Sequence, residues 1–275
     1  MLIAEIFGKG CGDQTINAIQ QRKQRLCPFK GGKCTKSSKV DPLGICTLTR
    51  GESATAICPN RFLEGDKIFI SAAEIAFGKG GQFAIFPEIK LLHIQDQKTG
   101  RTKKIGKVDF LLGKLSPDGT TIVDFAALEI QATYFSGTSI RPALKHYLEN
   151  GSLDEKISNR RPDFRSSAQK RLMPQLQLKV PVFRRWGKKF FVVVDTEFFA
   201  ALPKFKTTSI SNSEIIWLSV PIAKSGHAYV LGNPLGIGTQ WDDVSTALRE
   251  GTAPEPHEIV SELDKKLAGA RKLQA

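Results

Sequence analysis

The chain has 275 residues, of which 41% are hydrophobic, and a formal net charge of +13. That apolar content builds a core and excludes disorder, and the length suits one large domain or one domain with a small appendage. No stretch approaches the roughly 18 apolar residues of a membrane span, and the opening MLIAEIFGKG has Glu5 where a secretory leader would be apolar, so a cytoplasmic protein is expected.

Residues 2–7 suggest a short strand or a helix start, and 13–25 a helix capped by Asp13. Residues 26–60 are loop-rich, with Gly31, Gly32, Asp41-Pro42 and Gly44, and hold too few large apolar groups to form a core unaided. A bound metal would staple them. A helix is expected over 66–77, stopped by Gly78, Gly80 and Gly81. Residues 82–94 read as strand-like around Pro87, 95–106 as a polar, basic loop, and 107–135 as a hairpin. Then come a helix over 138–149 ending at Gly151, a polar loop over 151–165 and a helix over 166–179 interrupted at Pro174. Strands are expected at 188–194, 214–222 and 227–233, with helices at 196–202, 240–250 and 256–272. The interleaving predicts an α/β or α+β fold with a mixed sheet flanked by helices.

The positive charge is clustered: Arg101, Lys103, Lys104 and Lys107; Arg160, Arg161, Arg165, Lys170 and Arg171; Arg184, Arg185, Lys188 and Lys189. Each cluster alone is an ordinary solvated face. Together, and without an amphipathic membrane helix beside them, they favour nucleic acid over a membrane surface. Arg160, Arg161, Arg165 and Arg184 are available for reading bases, arginine to guanine being the commonest base contact.

All five cysteines, Cys11, Cys27, Cys34, Cys46 and Cys58, fall within the first 58 residues. Without a secretion signal, disulfides are not expected. Buried free thiols are the plain alternative, but this lysine-rich segment offers little apolar surface to hide them. Cys27, Cys34, Cys46 and Cys58, separated by six, eleven and eleven residues, can hold zinc or iron through four thiolates in a closed, structural site. Cys11 is left as a free thiol.

The hairpin KVDFLLGKLSPDGTTIVDFAALEIQATYF carries the chemistry. SPDG is a turn signal between two apolar runs. Glu129 and Gln131 share one strand face. A turn centred on Pro117 and Asp118 pairs Asp109 near residue 127, with Glu129 its diagonal neighbour on the same face. Two carboxylates there can hold Mg²⁺, with the Ile130 carbonyl as a third ligand, and Mg²⁺ both acidifies water and neutralises charge at phosphorus. Gln131 cannot act as a base, so its role would be positional. Glu88 is the candidate upstream acid. Asp124 has the opposite parity and is left out of the site. An acid pair balancing nearby lysines at a sheet edge is the plain alternative.

The segment LEIQATYFSG, with VDF twenty residues earlier, resembles the PD-(D/E)-x-K nuclease motif in the variant whose final lysine is glutamine, found in the NotI restriction endonuclease family. CPF at 27–29, Cys34, GICTL at 44–48 and ICPNRFL at 57–63 resemble that family's cysteine-bound metal domain. IAEIFG at 3–8 and FISAAEIAFG at 69–78 are also similar, and the resemblance continues more loosely beyond residue 137. It implies a restriction-endonuclease-like core and Mg²⁺-dependent, sequence-specific cleavage of double-stranded DNA. It also implies a homodimer matched to a palindrome, iron on Cys27, Cys34, Cys46 and Cys58, and a DNA methyltransferase in the same system. Asp109, Glu129 and Gln131 become active-site residues, with Glu88 a looser match. The expected organisation is a metal-binding region over 1–64 and a nuclease domain over 65–275. Two competing functions are a non-catalytic, metal-stabilised DNA-binding protein and a repair nuclease that cuts by structure.

Overall fold

A computed structural model of the chain describes residues 2–95, 98, 100, 102–151, 160–249 and 254–271. Its first strands are β1 (Leu2–Ile6) and β2 (Lys9–Gly10), followed by helix α1 (Ile16–Gln24), β3 (Ile45–Arg50) and β4 (Ser53–Ala56). A 3₁₀ segment, Pro59–Asp66, leads into α2 (Lys67–Phe77). The central part holds β5 (Phe83–Gln95), β6 (Thr102–Leu115), β7 (Ile122–Ile130), β8 (Phe135–Ser136), α3 (Arg141–Asn150), β9 (Arg161–Pro162), the short α4 (Phe164–Ser166) and α5 (Met173–Arg185). The remainder is β10 (Phe190–Asp195), α6 (Thr196–Ala200), β11 (Thr207–Thr208), β12 (Ile215–Val220), β13 (Ile222–Ser225), β14 (Ala228–Leu231), β15 (Leu235–Thr239), α7 (Trp241–Arg249) and α8 (Pro256–Lys266).

Seven strands form the main sheet in the order β11-β15-β12-β10-β7-β6-β5. The sheet is mixed, as expected: β10 runs parallel to β7 and β12, and the other pairings are antiparallel. Side-chain alternation divides two cores across it. Phe190, Val192 and Val194 of β10 join Leu176, Val180 and Phe183 of α5 and Val244 and Leu248 of α7 on one face. Phe191 and Val193 join Ile68, Phe69, Ala72 and Ala73 of α2 on the other. On β7, Ala127 faces α5 whereas Ala126, Leu128 and Ile130 face α2. Glu129 therefore projects into the α5 layer.

The N-terminal segment contains more regular structure than its composition suggested. β2-β1-β3-β4 form a four-stranded sheet. Its core, around Ile6, Phe7, Ile45 and Leu48, is completed by Phe135, Ile140, Leu144 and Tyr147, from β8 and around α3. Long-range packing thus supplies the apolar surface that residues 26–60 lack. Buried Arg61 joins this sheet to the rest: it donates to Glu5 Oε2 at 2.7 Å, Glu64 Oε2 at 2.8 Å and the Tyr229 carbonyl at 2.8 Å, and its guanidinium covers the Phe29 ring. Asp195, at the end of β10, caps α6 by accepting from Phe198 N at 2.8 Å and also accepts from Ala56 N of β4 at 3.1 Å.

Several expected boundaries move. Thr15, not Asp13, caps α1; its hydroxyl accepts from Ala18 N, while Asp13 accepts from Thr15 N. The basic loop over 95–106 shrinks because β5 and β6 extend into it, and Arg101 and residues 152–159 lie outside the described residues. The helix interrupted at Pro174 instead continues to Arg185. A π-helical turn over Ser167–Leu172 precedes it, so Pro174 falls in the first turn of α5, where a missing N–H is tolerated. β15, the glycine-containing LGIGT, was not anticipated; its pairing with β12 decides it.

Asp195→Ala leaves two buried backbone N–H groups without their acceptor, and we expect it to cost about 2–4 kcal/mol in urea unfolding. A change below about 0.5 kcal/mol would show that the bridge contributes little.

Candidate active site

The hairpin of β6 and β7 closes through a longer turn than a two-residue one. Ser116 N donates to the Thr121 carbonyl at 2.9 Å and Gly119 N to the Ser116 carbonyl at 2.8 Å. The Asp118 carboxylate binds Thr120 N at 3.2 Å and the Thr120 hydroxyl at 2.8 Å. A register shift follows between Lys114 and Leu115. These features alter the expected pairing. Phe110 lies opposite Leu128, so where the ladder ends Asp109 stands directly beside Glu129, not diagonal to it. Asp109 N reaches Glu129 Oε2 at 3.4 Å, and Ile130 N donates to Asp109 Oδ2 at 2.9 Å.

Glu88 falls in the same row on the next strand. Pro87 pairs with Phe110 and Ile89 with Val108, which leaves Glu88 across from Asp109. Its backbone has φ +59°, a left-handed conformation costly for a side chain other than glycine. Its exposed carboxylate pairs with Lys107 Nζ at 2.9 Å, and that ammonium holds it below the usual carboxylate range. The structure thus aligns Glu88 with the pair but turns its side chain to Lys107. Gln131 is buried after Glu129, its N–H donating to the Val193 carbonyl at 2.9 Å and its amide to the Ala132 carbonyl at 2.6 Å. Asp124 pairs with Lys188, away from the acids.

Sequence reasoning missed Lys179. It is 3% exposed in the middle of α5, and its Nζ donates to Glu129 Oε1 and to Gln175 Oε1, each at 2.7 Å. A signal was present in the i, i+4 placement of Gln175 and Lys179 within the apolar ridge Met173, Leu176, Val180 and Phe183. Ending the helix at residue 179 concealed it.

The electrostatics follow from burial. Glu129 is pushed up to about 7, first by desolvation and then by the adjacent Asp109, against the pull of Lys179. Asp109 is raised as well, chiefly by burial. The arrangement offers oxygen donors side by side beneath a single ammonium, a fit for a hard divalent cation that would relieve their repulsion.

Four of the cysteines lie on two hairpins. Cys27 and Cys34 flank the turn closed by the Leu26–Lys33 bridge, with Cys27 N donating to the Gly32 carbonyl at 2.8 Å and Cys34 N to the Arg25 carbonyl at 2.9 Å. Cys46 is the second residue of β3, and its carbonyl accepts from Ile57 N at 2.9 Å, which places Cys58 just beyond β4. All four are buried and unpaired by disulfides. Burial pushes the Cys46 and Cys58 thiols up, and neighbouring thiols add to this: Cys58 and Cys27 for Cys46, Cys27 and Cys34 for Cys58. Lys36 acts in the opposite direction on Cys58. Cys11 is separate, pushed up to about 12 by burial, with Arg22 and Glu5 as its charged neighbours. Among the described residues no group of three or more His, Cys, Asp or Glu side chains is closed to metal-ligand spacing.

Much of the basic surface is already engaged. Arg184 pairs with Glu214 at 2.7 Å and Asp242 at 3.3 Å, Lys189 donates to the carbonyls of Ile210, Ser211 and Ser213, and Arg160 donates to the Thr138 carbonyl at 2.6 Å. Arg184 is thus a structural cation as well as a surface one. Arg171 stacks over the Tyr134 ring at 4.4 Å, just past the end of β7.

The raised Glu129 gives a signed expectation. Between its ordinary value of 4.5 and about 7, the native metal-free protein retains a proton that the unfolded chain has released. Its contribution is therefore present at acid pH and lost as pH rises through about 7. Glu129→Gln should flatten the decline in metal-free stability across this window, seen in urea titrations at several pH values; an unchanged slope would refute the raised value.

No curated protein matches the chain. A model of the family described as restriction endonuclease NotI matches residues 12–231, which include the cysteine hairpins, the carboxylate row and Lys179. Among the described residues no helix is long and apolar enough to cross a membrane. The match decides against a non-catalytic DNA reader and against a structure-specific repair nuclease: the chain belongs to the NotI restriction endonuclease family and is a type II, site-specific deoxyribonuclease.

Proposed function

We propose that cleavage takes place at Asp109 and Glu129, which hold Mg²⁺ together with the Ile130 carbonyl, with Gln131 orienting the attacking water and Glu88 completing the acidic row. The observation that carries this reading is the carboxylate pair, Glu129 buried and Asp109 half-buried, set side by side on adjacent strands and linked by the Ile130 N–H to Asp109 bond of 2.9 Å. Mg²⁺ supplies an acidified water and neutralises charge at phosphorus. The chain's own residues exclude bulk water, fix both carboxylates through backbone N–H groups and balance their charge through Lys179.

The protein acts on double-stranded DNA as a homodimer, since a palindrome presents two related strands for cutting. A DNA methyltransferase of the same specificity protects the host's own sites. Long unmethylated DNA incubated with Mg²⁺ should give discrete fragments, and EDTA should abolish them. Asp109→Ala and Glu129→Ala should bind DNA but cut it at least about a hundredfold more slowly. Full activity in either variant would move the site elsewhere.

Cys27, Cys34, Cys46 and Cys58 hold a structural iron or zinc ion. The support is their burial together with the electrostatic pressure that neighbouring thiols exert on Cys46 and Cys58, which a cation would remove. Elemental analysis should find about one iron or zinc per chain. Cys46→Ser should lower both metal content and melting temperature, whereas Cys11→Ser should change neither. A metal-free wild type with unchanged stability would leave the thiols as ordinary core groups.

A further inference from the structure

We infer that Lys179, carried by α5 and not by the catalytic hairpin, is the ammonium that holds the scissile phosphate at this site. This rests on the assignment of cleavage to Asp109 and Glu129.

A buried ammonium has three N–H donors. Glu129 Oε1 and Gln175 Oε1 each occupy one at 2.7 Å. No described side chain or carbonyl takes the third. Such a group is costly to bury unless something fills it. The two acids explain the charge of Lys179 but not its remaining donor. Because the same ammonium is bonded to Glu129, a phosphodiester held by Asp109 and Glu129 would come within its reach. A phosphodiester oxygen is anionic and accepts hydrogen bonds, so it satisfies both the valence and the charge.

The surrounding chain holds Lys179 in place. Gln175, one turn earlier on α5, fixes the amine from the helix side, and Leu176, Val180 and Phe183 lock that face of the helix against the sheet. The hairpin has Gln131 in the position two residues after Glu129, with its amide turned to the Ala132 carbonyl, so it offers no cation there. Among the described residues, Lys179 is the cation that hydrogen-bonds a member of the acid pair.

The role is electrostatic. In hydrolysis water oxygen bonds to phosphorus, the bond from phosphorus to the leaving oxygen breaks, and the two hydrogens of water end on the phosphate product and the leaving hydroxyl. Lys179 keeps its proton throughout and donates one hydrogen bond to a non-bridging oxygen as charge accumulates there.

The test begins with binding, without cleavage. Once product ends locate the cut, duplexes carrying that site are made with a normal phosphate or a neutral methylphosphonate at the scissile linkage, and affinity is measured in EDTA. Lys179→Met should weaken binding of the normal duplex about fivefold or more and of the methylphosphonate duplex less than twofold, in keeping with the strength of charge-assisted hydrogen bonds. Equal losses on both duplexes would overturn the assignment. In single-turnover cleavage with Mg²⁺, Lys179→Met should be slower by about 10²–10³-fold, and adding Gln131→Lys should recover at least about tenfold of this by restoring an ammonium from the strand. A Lys179→Met rate within about threefold of wild type would likewise overturn it. If Lys179→Met does not fold, the same comparison is made between Glu129→Gln and Glu129→Gln/Lys179→Met, where no buried carboxylate is left unpaired; binding of the two duplexes then decides. Glu129→Ala is the control: normal cleavage by that variant would remove the active-site assignment itself, a different failure from normal cleavage by Lys179→Met alone.

Discussion

Two carboxylates in adjacent strands, Glu129 buried and Asp109 half-buried, repel one another, and the architecture around this pair supplies what the repulsion demands. The mixed sheet places Asp109 and Glu129 at one level, and α5 brings Lys179 across the face onto which Glu129 projects. Removing bulk water from the acids raises their proton affinity and makes nearby charge and dipoles more effective. A pair of this kind is unfavourable when unoccupied and becomes more favourable toward a cation.

The N-terminal sheet is fastened to the rest of the fold by polar contacts at buried positions. Arg61 joins Glu5 of β1 to Glu64 and the β14 carbonyl of Tyr229. Asp195 ties the end of β10 to Ala56, and the Ala56 carbonyl accepts from Thr133 N, just past the hairpin of β6 and β7. The cysteine hairpins are therefore mechanically connected to the strands that carry the acids. Buried ion pairs are weak evidence for stability because desolvation offsets much of their attraction, but breaking one leaves an uncompensated charge and is costly. Arg61 is fully buried and bonded to two carboxylates and a carbonyl, so its loss would leave Glu5 buried without its cation.

The carboxylate row shows how local and distant information divide. Asp109, Glu129 and Gln131 were legible because strand parity and a turn signal are local properties. Their relative offset was not, because a six-residue turn and a register shift moved the pairing from residue 127 to residue 129. Glu88 could be named as a nearby acid, yet its left-handed backbone and its bond to Lys107 arise from the pairing of β5 with β6. Lys179 lies fifty positions from Glu129, beyond the range of any local pattern. Pro174 in its helix also reads as an interruption until the π-helical turn and the packing of α5 against the sheet are in place.

By itself the sequence determined the class of fold, the hairpin and its acids, the gathering of thiols in the first 58 residues and, through the resemblance of CPNR and LEIQ, the family. Periodicity, turn chemistry and composition act over a few residues and survive without a partner. The tertiary structure decided which acid stands beside which, that Lys179 faces them, and that Phe135, Ile140, Leu144 and Tyr147 complete the core of the cysteine region. These depend on strand order and helix docking, which are settled by burial summed over contacts distant in the chain.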